Sequence, residues 1–363
     1  MIHRKDTKIP GIKLFLTYLH KGLFAVNLRM LKNFIFSRLR RTQLERIFVC
    51  PSHACNARCV HCYENFSGQP AASLTTDDVH NIVEQFHALG GYQVYFCSGE
   101  FLLRPDALAL IRYVSSRHMV SSITTNGLLL SGPLLDDLKA AGLTELIVSI
   151  DSADPRRHDE RRGVPGCFEK AAAGLKLARE RGIITYIWTY VSRSNADELD
   201  GIIALGQRLQ VELVYVFFPL LSGKFFDRFD ENLSFEEREE YRHRYNEREG
   251  VLLEFPTEGT PCTGGGLDHV CVMPSGDVTF CPPVPYSYGN VHTTPLKECL
   301  RAAREDYRRF PQCTRGQCPV NFPEYRDKCR ARFLHQPSPP ETDSREGETL
   351  SRREGASDFK WHK

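Results

Sequence analysis

Ile47-Phe48-Val49-Cys50-Pro51-Ser52-His53-Ala54-Cys55-Asn56-Ala57-Arg58-Cys59-Val60-His61-Cys62-Tyr63 carries an apolar, β-prone run straight into three cysteines spaced C-x3-C-x2-C. Ile47–Cys50 reads as a strand, so Cys55, Cys59 and Cys62 sit on the loop that leaves its carboxyl end. Three thiolates on one tight loop suit three irons of a cubane cluster and leave the fourth iron without a protein ligand, which implies a bound substrate or cofactor there. Structural zinc asks for four closed ligands, usually in C-x2-C pairs, so the spacing counts against a zinc knuckle.

Downstream, the β-branched or aromatic runs Gln93–Cys97, Ser121–Thr125, Glu145–Ile150, Thr185–Val191 and Glu212–Phe218 alternate with helical patterns. Helix starts are signalled at Thr75-Thr76-Asp77, Pro105-Asp106, Ser131-Gly132-Pro133 and Ser194-Asn195-Ala196-Asp197. Such alternation predicts repeated βα units and a parallel sheet. Six units fit residues 47–220, whereas a closed eight-unit barrel takes about 250 residues. The expected fold is therefore α/β, a partial (β/α)6 TIM-like barrel that is partly open. Its chemistry belongs at the carboxyl ends of the strands.

The 363 residues are 41% hydrophobic and 25% charged, the proportions of an ordinary globular protein. A body of about 300 residues buries roughly three quarters of its unfolded surface, so its core needs no disulfides. Thirteen cysteines then ask for another explanation. In a reducing, cytoplasmic compartment, clustered cysteines read as metal ligands or catalytic thiols. The start of the chain is read as lacking a cleavable signal, and no apolar run reaches membrane-spanning length. The net charge of +2 carries no nucleic-acid signature.

Charge and composition divide the rest. Residues 1–46 hold eleven Lys and Arg against Asp6 and Glu45, a basic arm. Within it, residues 11–40 space apolar side chains in a near-helical rhythm, among them Leu16, Leu19, Leu23 and Leu31. Such a helix can lie on an anionic membrane surface, a peripheral contact added to a cytoplasmic location, or pack on the barrel as a lid. After Pro219 come a charged helix from Ser234 to about Glu249, a hairpin around Pro274-Ser275-Gly276-Asp277, and seven cysteines between Cys262 and Cys329. Residues 221–335 are thus expected to form a small cysteine-rich β-hairpin and helix cluster domain organised by metal. Residues 336–363, rich in Pro, Ser, Glu and Arg, read as a disordered tail.

The cysteine motif and its place in the chain resemble the radical SAM superfamily. That resemblance implies a [4Fe-4S] cluster on Cys55, Cys59 and Cys62 with S-adenosylmethionine (AdoMet) on the open iron. Ser98-Gly99-Glu100 is similar to the family's Gly-Gly-Glu-Pro segment, which holds the methionine ammonium; here Ser98 replaces the first Gly and Phe101 the Pro. Asn126, in Thr124-Thr125-Asn126-Gly127, and Ser149, in Ser149-Ile150-Asp151-Ser152, fall where ribose and methionine contacts are implied. Arg162 is similar to a position that pairs with the methionine carboxylate. The implied chemistry is reductive cleavage to a 5′-deoxyadenosyl radical, then hydrogen abstraction from substrate, fed by an electron donor such as flavodoxin or ferredoxin.

Residues 262–329 resemble the SPASM or shorter twitch domain of that superfamily, which carries auxiliary Fe–S clusters. Cys262 and Cys281 flank Gly276 at the family's spacing, while Cys313, Cys318 and Cys329 replace its denser cysteine run. One auxiliary cluster is implied, on Cys262, Cys281, Cys318 and Cys329, with Cys271 and Cys313 as alternates; the hairpin places Cys271 near Cys281. Cys97, beside Ser98, is a candidate hydrogen donor or radical quencher, and Cys50, Cys167 and Cys299 read as small hydrophobes. The substrate stays open between a peptide or protein, a small molecule and a membrane lipid. A zinc-stabilised binding protein without catalysis is the competing reading of the same cysteines.

Overall fold

The computed structural model describes Leu16, Tyr18, Leu19, Phe24, Asn27, Leu28 and Leu31, and residues 44–63, 73–218, 222–225, 228–245, 248–254, 268–284 and 286–309. Among the described residues nine strands are formed: β1 Arg46–Val49, β2 Gln93–Phe96, β3 Val120–Thr125, β4 Glu145–Ser149, β5 Ile184–Tyr190, β6 Leu213–Phe217, β7 Val251–Glu254, β8 His269–Val272 and β9 Val278–Thr279. They make one sheet in the order β7-β6-β5-β4-β3-β2-β1-β8-β9, open between β7 and β9. β1 to β8 pair in parallel, and β9 turns back antiparallel to β8.

The six expected strands are all present, but the sheet does not stop at residue 220. β7 extends it beyond β6, and β8 pairs with β1 from Arg46↔His269 to Val49↔Val272. The division at 220 between barrel and cysteine-rich domain is therefore corrected: two strands of the latter belong to the barrel sheet. The hairpin at Pro274–Asp277 is found where expected, with Met273 N donating to Asp277 O at 2.8 Å.

Between the strands run α1 Thr76–Ala88, α2 Ala107–Ser116, α3 Gly132–Ala140, α4 Pro155–Arg162, α5 Cys167–Glu180 and α6 Leu199–Leu209, followed by α7 Phe235–Tyr245 and α8 Leu296–Arg309. Their starts are chemically marked. Thr75 caps α1 in a reciprocal box with Asp78, Ser131 caps α3 ahead of Pro133, and Asp154 caps α4 ahead of Pro155. The start signal at Ser194–Asp197 instead forms a 3-10 turn, Arg193–Glu198, and α6 begins after it.

Strand alternation sorts the side chains. Ile47, Val49, Val94, Phe96, Val148 and Val216 pack outward against the helices. Phe48, Tyr95, Ile147, Tyr186, Trp188 and Tyr215 line the inner face. Tyr95 of β2 meets Trp188 of β5 across β3 and β4, with ring centroids 6.2 Å apart. Phe48 stacks on Tyr95 at 5.0 Å and Phe217 lies edge-on to Trp188 at 4.9 Å, so an aromatic floor spans the interior.

Below that floor, at the amino end of β4, Glu145 is buried and accepts from Tyr18 and Tyr186 on one oxygen and from Gln93 and Ser122 on the other. Tyr18 thus fixes part of the basic arm inside the barrel. Leu16, Phe24 and Leu28 of the same segment are exposed, and most of residues 11–40 lies outside the described residues. No helix among the described residues is long and apolar enough to cross a membrane.

Candidate active site at the carboxyl edge of the sheet

The cysteine loop leaves β1 at the carboxyl edge. Cys55 is exposed and Cys59 and Cys62 are half-buried, whereas Cys50, Cys97, Cys167, Cys271 and Cys299 are buried. Neighbouring backbone clamps the loop. Glu100 N donates to Ala54 O at 2.8 Å, Arg58 N to Arg162 O and Val60 N to Arg161 O at 2.9 Å, and Lys224 N to Cys62 O at 3.0 Å.

Two glycines allow these approaches. Gly99 has φ +54°, and a Cβ there would lie 2.3 Å from Ala54 O; Gly163 has φ +68°, with a Cβ 2.8 Å from Arg58 O. Gly99→Ala combines left-handed strain with a backbone clash and is expected to cost about 2 kcal/mol. Urea denaturation of the anaerobic protein checks this, and a cost under about 0.5 kcal/mol would show that the loop simply yields. Ser98, where the family has glycine, takes φ 79°, and its hydroxyl donates to Ser52 O at 3.2 Å. That conformation explains why glycine suits the position.

Glu100, 2% exposed, accepts from Thr125 Oγ1 at 3.0 Å and Asn126 N at 2.8 Å on one oxygen and from Leu102 N at 3.3 Å on the other. Burial pushes its pKa up despite these donors. Asn126 Nδ2 donates to Asn56 Oδ1 at 2.7 Å and lies 4.0 Å from Cys55 Sγ, joining the end of β3 to the cysteine loop. Ser149 is half-buried at the end of β4, paired in register with Trp188. Ser98, Gly99, Glu100, Asn126 and Ser149 thus stand at the ends of β2, β3 and β4, and Arg162 comes from the end of α4.

Arg162 closes α4. Its Nη2 pairs with Asp151 Oδ2 at 2.8 Å and its Nη1 points to Cys59 Sγ at 3.6 Å. Burial alone disfavours the guanidinium cation, but Asp151 and then Cys59 outweigh it and hold Arg162 charged. Asp151 is fully buried, yet Arg162 and His61 keep its carboxyl well below the usual carboxylate range. His61 Nε2 lies 3.4 Å from Asp151 Oδ2, and its ring stacks on Tyr190 at 5.0 Å. Burial pushes the His61 pKa down to about 3, so the ring is neutral. Asp151 and His61 stood inside quoted motifs, but neither was singled out by spacing; an acidic strand end facing an Arg eleven residues on was the available signal.

Cys97 and Cys271 meet at Cys50, beside Phe48 on the inner face. Cys50 Sγ lies 3.5 Å from both Cys97 Sγ and Cys271 Sγ, and Cys271 Sγ is 3.7 Å from Met273 Sδ, a buried sulfur cluster on the inner face. Cys271 as an alternate auxiliary ligand is corrected: it stands in register with Thr279, not Cys281, and β8 turns it toward Cys50. Cys281 is half-buried after β9, and Cys262, Cys313, Cys318 and Cys329 lie outside the described residues. Among the described residues, no three His, Cys, Asp or Glu side chains converge on one ion. A cleft of about 500 Å³, lined in part by Ser52, Ala54, Thr75, Glu100 and Arg104, opens beside the loop.

Comparison with known proteins agrees with this arrangement. Residues 49–206 match the model of the radical SAM superfamily. The AdoMet-dependent heme synthase of Methanosarcina barkeri (strain Fusaro / DSM 804) is 30% identical over 312 residues, covering 77% of this chain and 88% of that protein. Fe-coproporphyrin III synthase of the same organism is 28% identical over 207 residues, 56% of this chain and 52% of its own length. Among solved structures, Streptococcus suis SuiB bound to precursor peptide SuiA superposes with a TM-score of 0.62 at 14% identity, covering 81% of this chain and 76% of SuiB. At that identity the likeness is one of fold.

Proposed function

The chain belongs to the radical SAM superfamily, and on that premise we propose that it is an AdoMet-dependent enzyme of haem formation acting on an iron tetrapyrrole. The observation that carries this reading is the aromatic floor of Phe48, Tyr95, Trp188, Tyr215 and Phe217 on the inner face of the sheet. A flat conjugated ring gains both area and stacking on such a surface, which neither an extended peptide nor a lipid chain requires. The 30% identical relative, named a heme synthase and matched over most of its length, supports the same substrate class. Membership of the superfamily sets aside the non-catalytic zinc module.

The family's cofactors are a [4Fe-4S] cluster and AdoMet. The donor set fits them: Cys55, Cys59 and Cys62 are the loop thiols, and Ala57 N (3.4 Å from Cys55 Sγ), Asn126 and Arg162 direct N–H groups at their sulfurs. Bound there, the cluster with AdoMet supplies reductive carbon–sulfur cleavage and a carbon radical that takes a hydrogen atom. Glu100, through the acceptor capacity left on its carboxylate, and the Gly99 backbone would receive the methionine ammonium. Asn126 and Ser149 would orient the ribose and methionine portions. The floor would keep the substrate dry and hold its orientation. Cys281, with Cys262, Cys318 and Cys329, would hold one auxiliary cluster, and a flavodoxin or ferredoxin would deliver the electrons.

The test is anaerobic reconstitution of the full chain with iron and sulfide, then addition of dithionite, AdoMet and iron coproporphyrin III. The expected result is 5′-deoxyadenosine accompanied by haem, identified by mass and absorbance after chromatography. 5′-Deoxyadenosine with the tetrapyrrole unchanged would remove the substrate assignment and leave the radical chemistry standing.

A further inference from the structure

Resemblance directs Arg162 to the methionine carboxylate, but its guanidinium is already engaged by Asp151 and directed at Cys59. The backbone reinforces that position: the carbonyls of Arg161 and Arg162 accept from Val60 and Arg58, so the end of α4 and the cysteine loop are tied together on both sides of Cys59. Asp151 is itself held from every direction. Oδ1 accepts from Tyr190 N at 3.0 Å, its carbonyl from Asn195 Nδ2 at 3.0 Å, and its own N–H donates to His158 Nδ1 at 3.2 Å. His61 reaches its Oδ2 from between Cys59 and Cys62. One buried carboxylate therefore fixes both the cation beside Cys59 and the histidine inside the loop.

We propose that Arg162 tunes the loop-bound cluster by donating to the Cys59 sulfur, and that Asp151 is the positioning residue that keeps it there. This rests on the reading that Cys55, Cys59 and Cys62 hold the cluster. A cation and an N–H donor at a ligating sulfur stabilise the more negative, reduced form and so raise its reduction potential. With Arg162 only 8% exposed, little water screens that effect. Asp151 contributes the opposite charge, bound to Nη2 of the guanidinium whose Nη1 is directed at Cys59. Its positional and its electrostatic effects on the potential therefore have opposite signs.

That opposition gives the test. The midpoint potential of the loop cluster is measured by EPR-monitored titration of the reconstituted full chain without AdoMet, with the Cys55→Ala, Cys59→Ala, Cys62→Ala protein marking any signal from elsewhere. Arg162→Met is expected to shift the potential negative. Asp151→Asn is expected to shift it in the same direction, because the guanidinium leaves Cys59; removal of a negative charge alone would shift it positive. Arg162→Lys, which keeps a cation without the fork, supplies the measurement if the methionine protein takes up no iron, and is expected to give a smaller negative shift. An unchanged potential in the Arg162 proteins, or a positive shift in Asp151→Asn, overturns the proposal. A triple alanine protein whose signal is identical to that of the unaltered chain, leaving none that belongs to the loop, would instead show that Cys55, Cys59 and Cys62 hold no cluster and would remove the reading on which the proposal rests.

Discussion

The protein carrying Cys55→Ala, Cys59→Ala and Cys62→Ala together is expected to form no 5′-deoxyadenosine from AdoMet and to take up about four fewer irons on reconstitution, one cubane's worth. Its fold is expected to persist. Cys55 is exposed and Cys59 and Cys62 are half-buried, so their removal leaves little unfilled core, and substitutions of that kind change stability by no more than about 0.5 kcal/mol. The clamps on the loop are backbone bonds, to the carbonyls of Ala54, Arg161, Arg162 and Cys62, and alanine leaves them in place. Cys97→Ala is the control, because its sulfur lies against Cys50 on the inner face rather than on the loop, and it is expected to keep AdoMet cleavage. Cleavage surviving in the triple variant would mean that the loop is not the cluster site.

That contrast also shows what the sequence made legible. Each of the first six strands is a compact β-prone run, and four of them are followed by a helix start signal, so local residues sufficed to place them. The C-x3-C-x2-C spacing carried its chemistry locally in the same way. β7 does not stand out in sequence, and β8, expected as a hairpin strand, is not placed beside β1 by local residues, because both take their places in the sheet from distant partners, β6 and β1. Cys271 was misplaced for a related reason. A hairpin argument sees only the neighbour across the turn, whereas the parallel partner β1, 221 residues earlier, decides that its sulfur meets Cys50. The Asp151–Arg162 pair was visible as two motif fragments, but its direction toward Cys59 required the return of α4 onto the loop.

The layer beneath the aromatic floor was wholly illegible in sequence, since it joins residues 127 positions apart. Glu145→Ala is expected to cost about 4 kcal/mol, because it strands several buried donors at once and each unsatisfied buried donor costs about 1–3 kcal/mol before relaxation. The donors are the hydroxyls of Tyr18, Ser122 and Tyr186 and the Gln93 amide, which also donates to Tyr95 and Ser122. Tyr18→Phe is the informative companion. It removes one donor while three remain on the carboxylate, so the penalty falls to about 1 kcal/mol, the net value of a single hydrogen bond. The two variants should nonetheless share one consequence. The Tyr18 hydroxyl ties the basic arm to the barrel interior, so each should raise cleavage of residues 1–43 by a protease under native conditions, more for Glu145→Ala. Urea unfolding with limited proteolysis separates the effects. Equal stability losses would show that the single bond from the Tyr18 hydroxyl accounts for the whole contribution of the carboxylate.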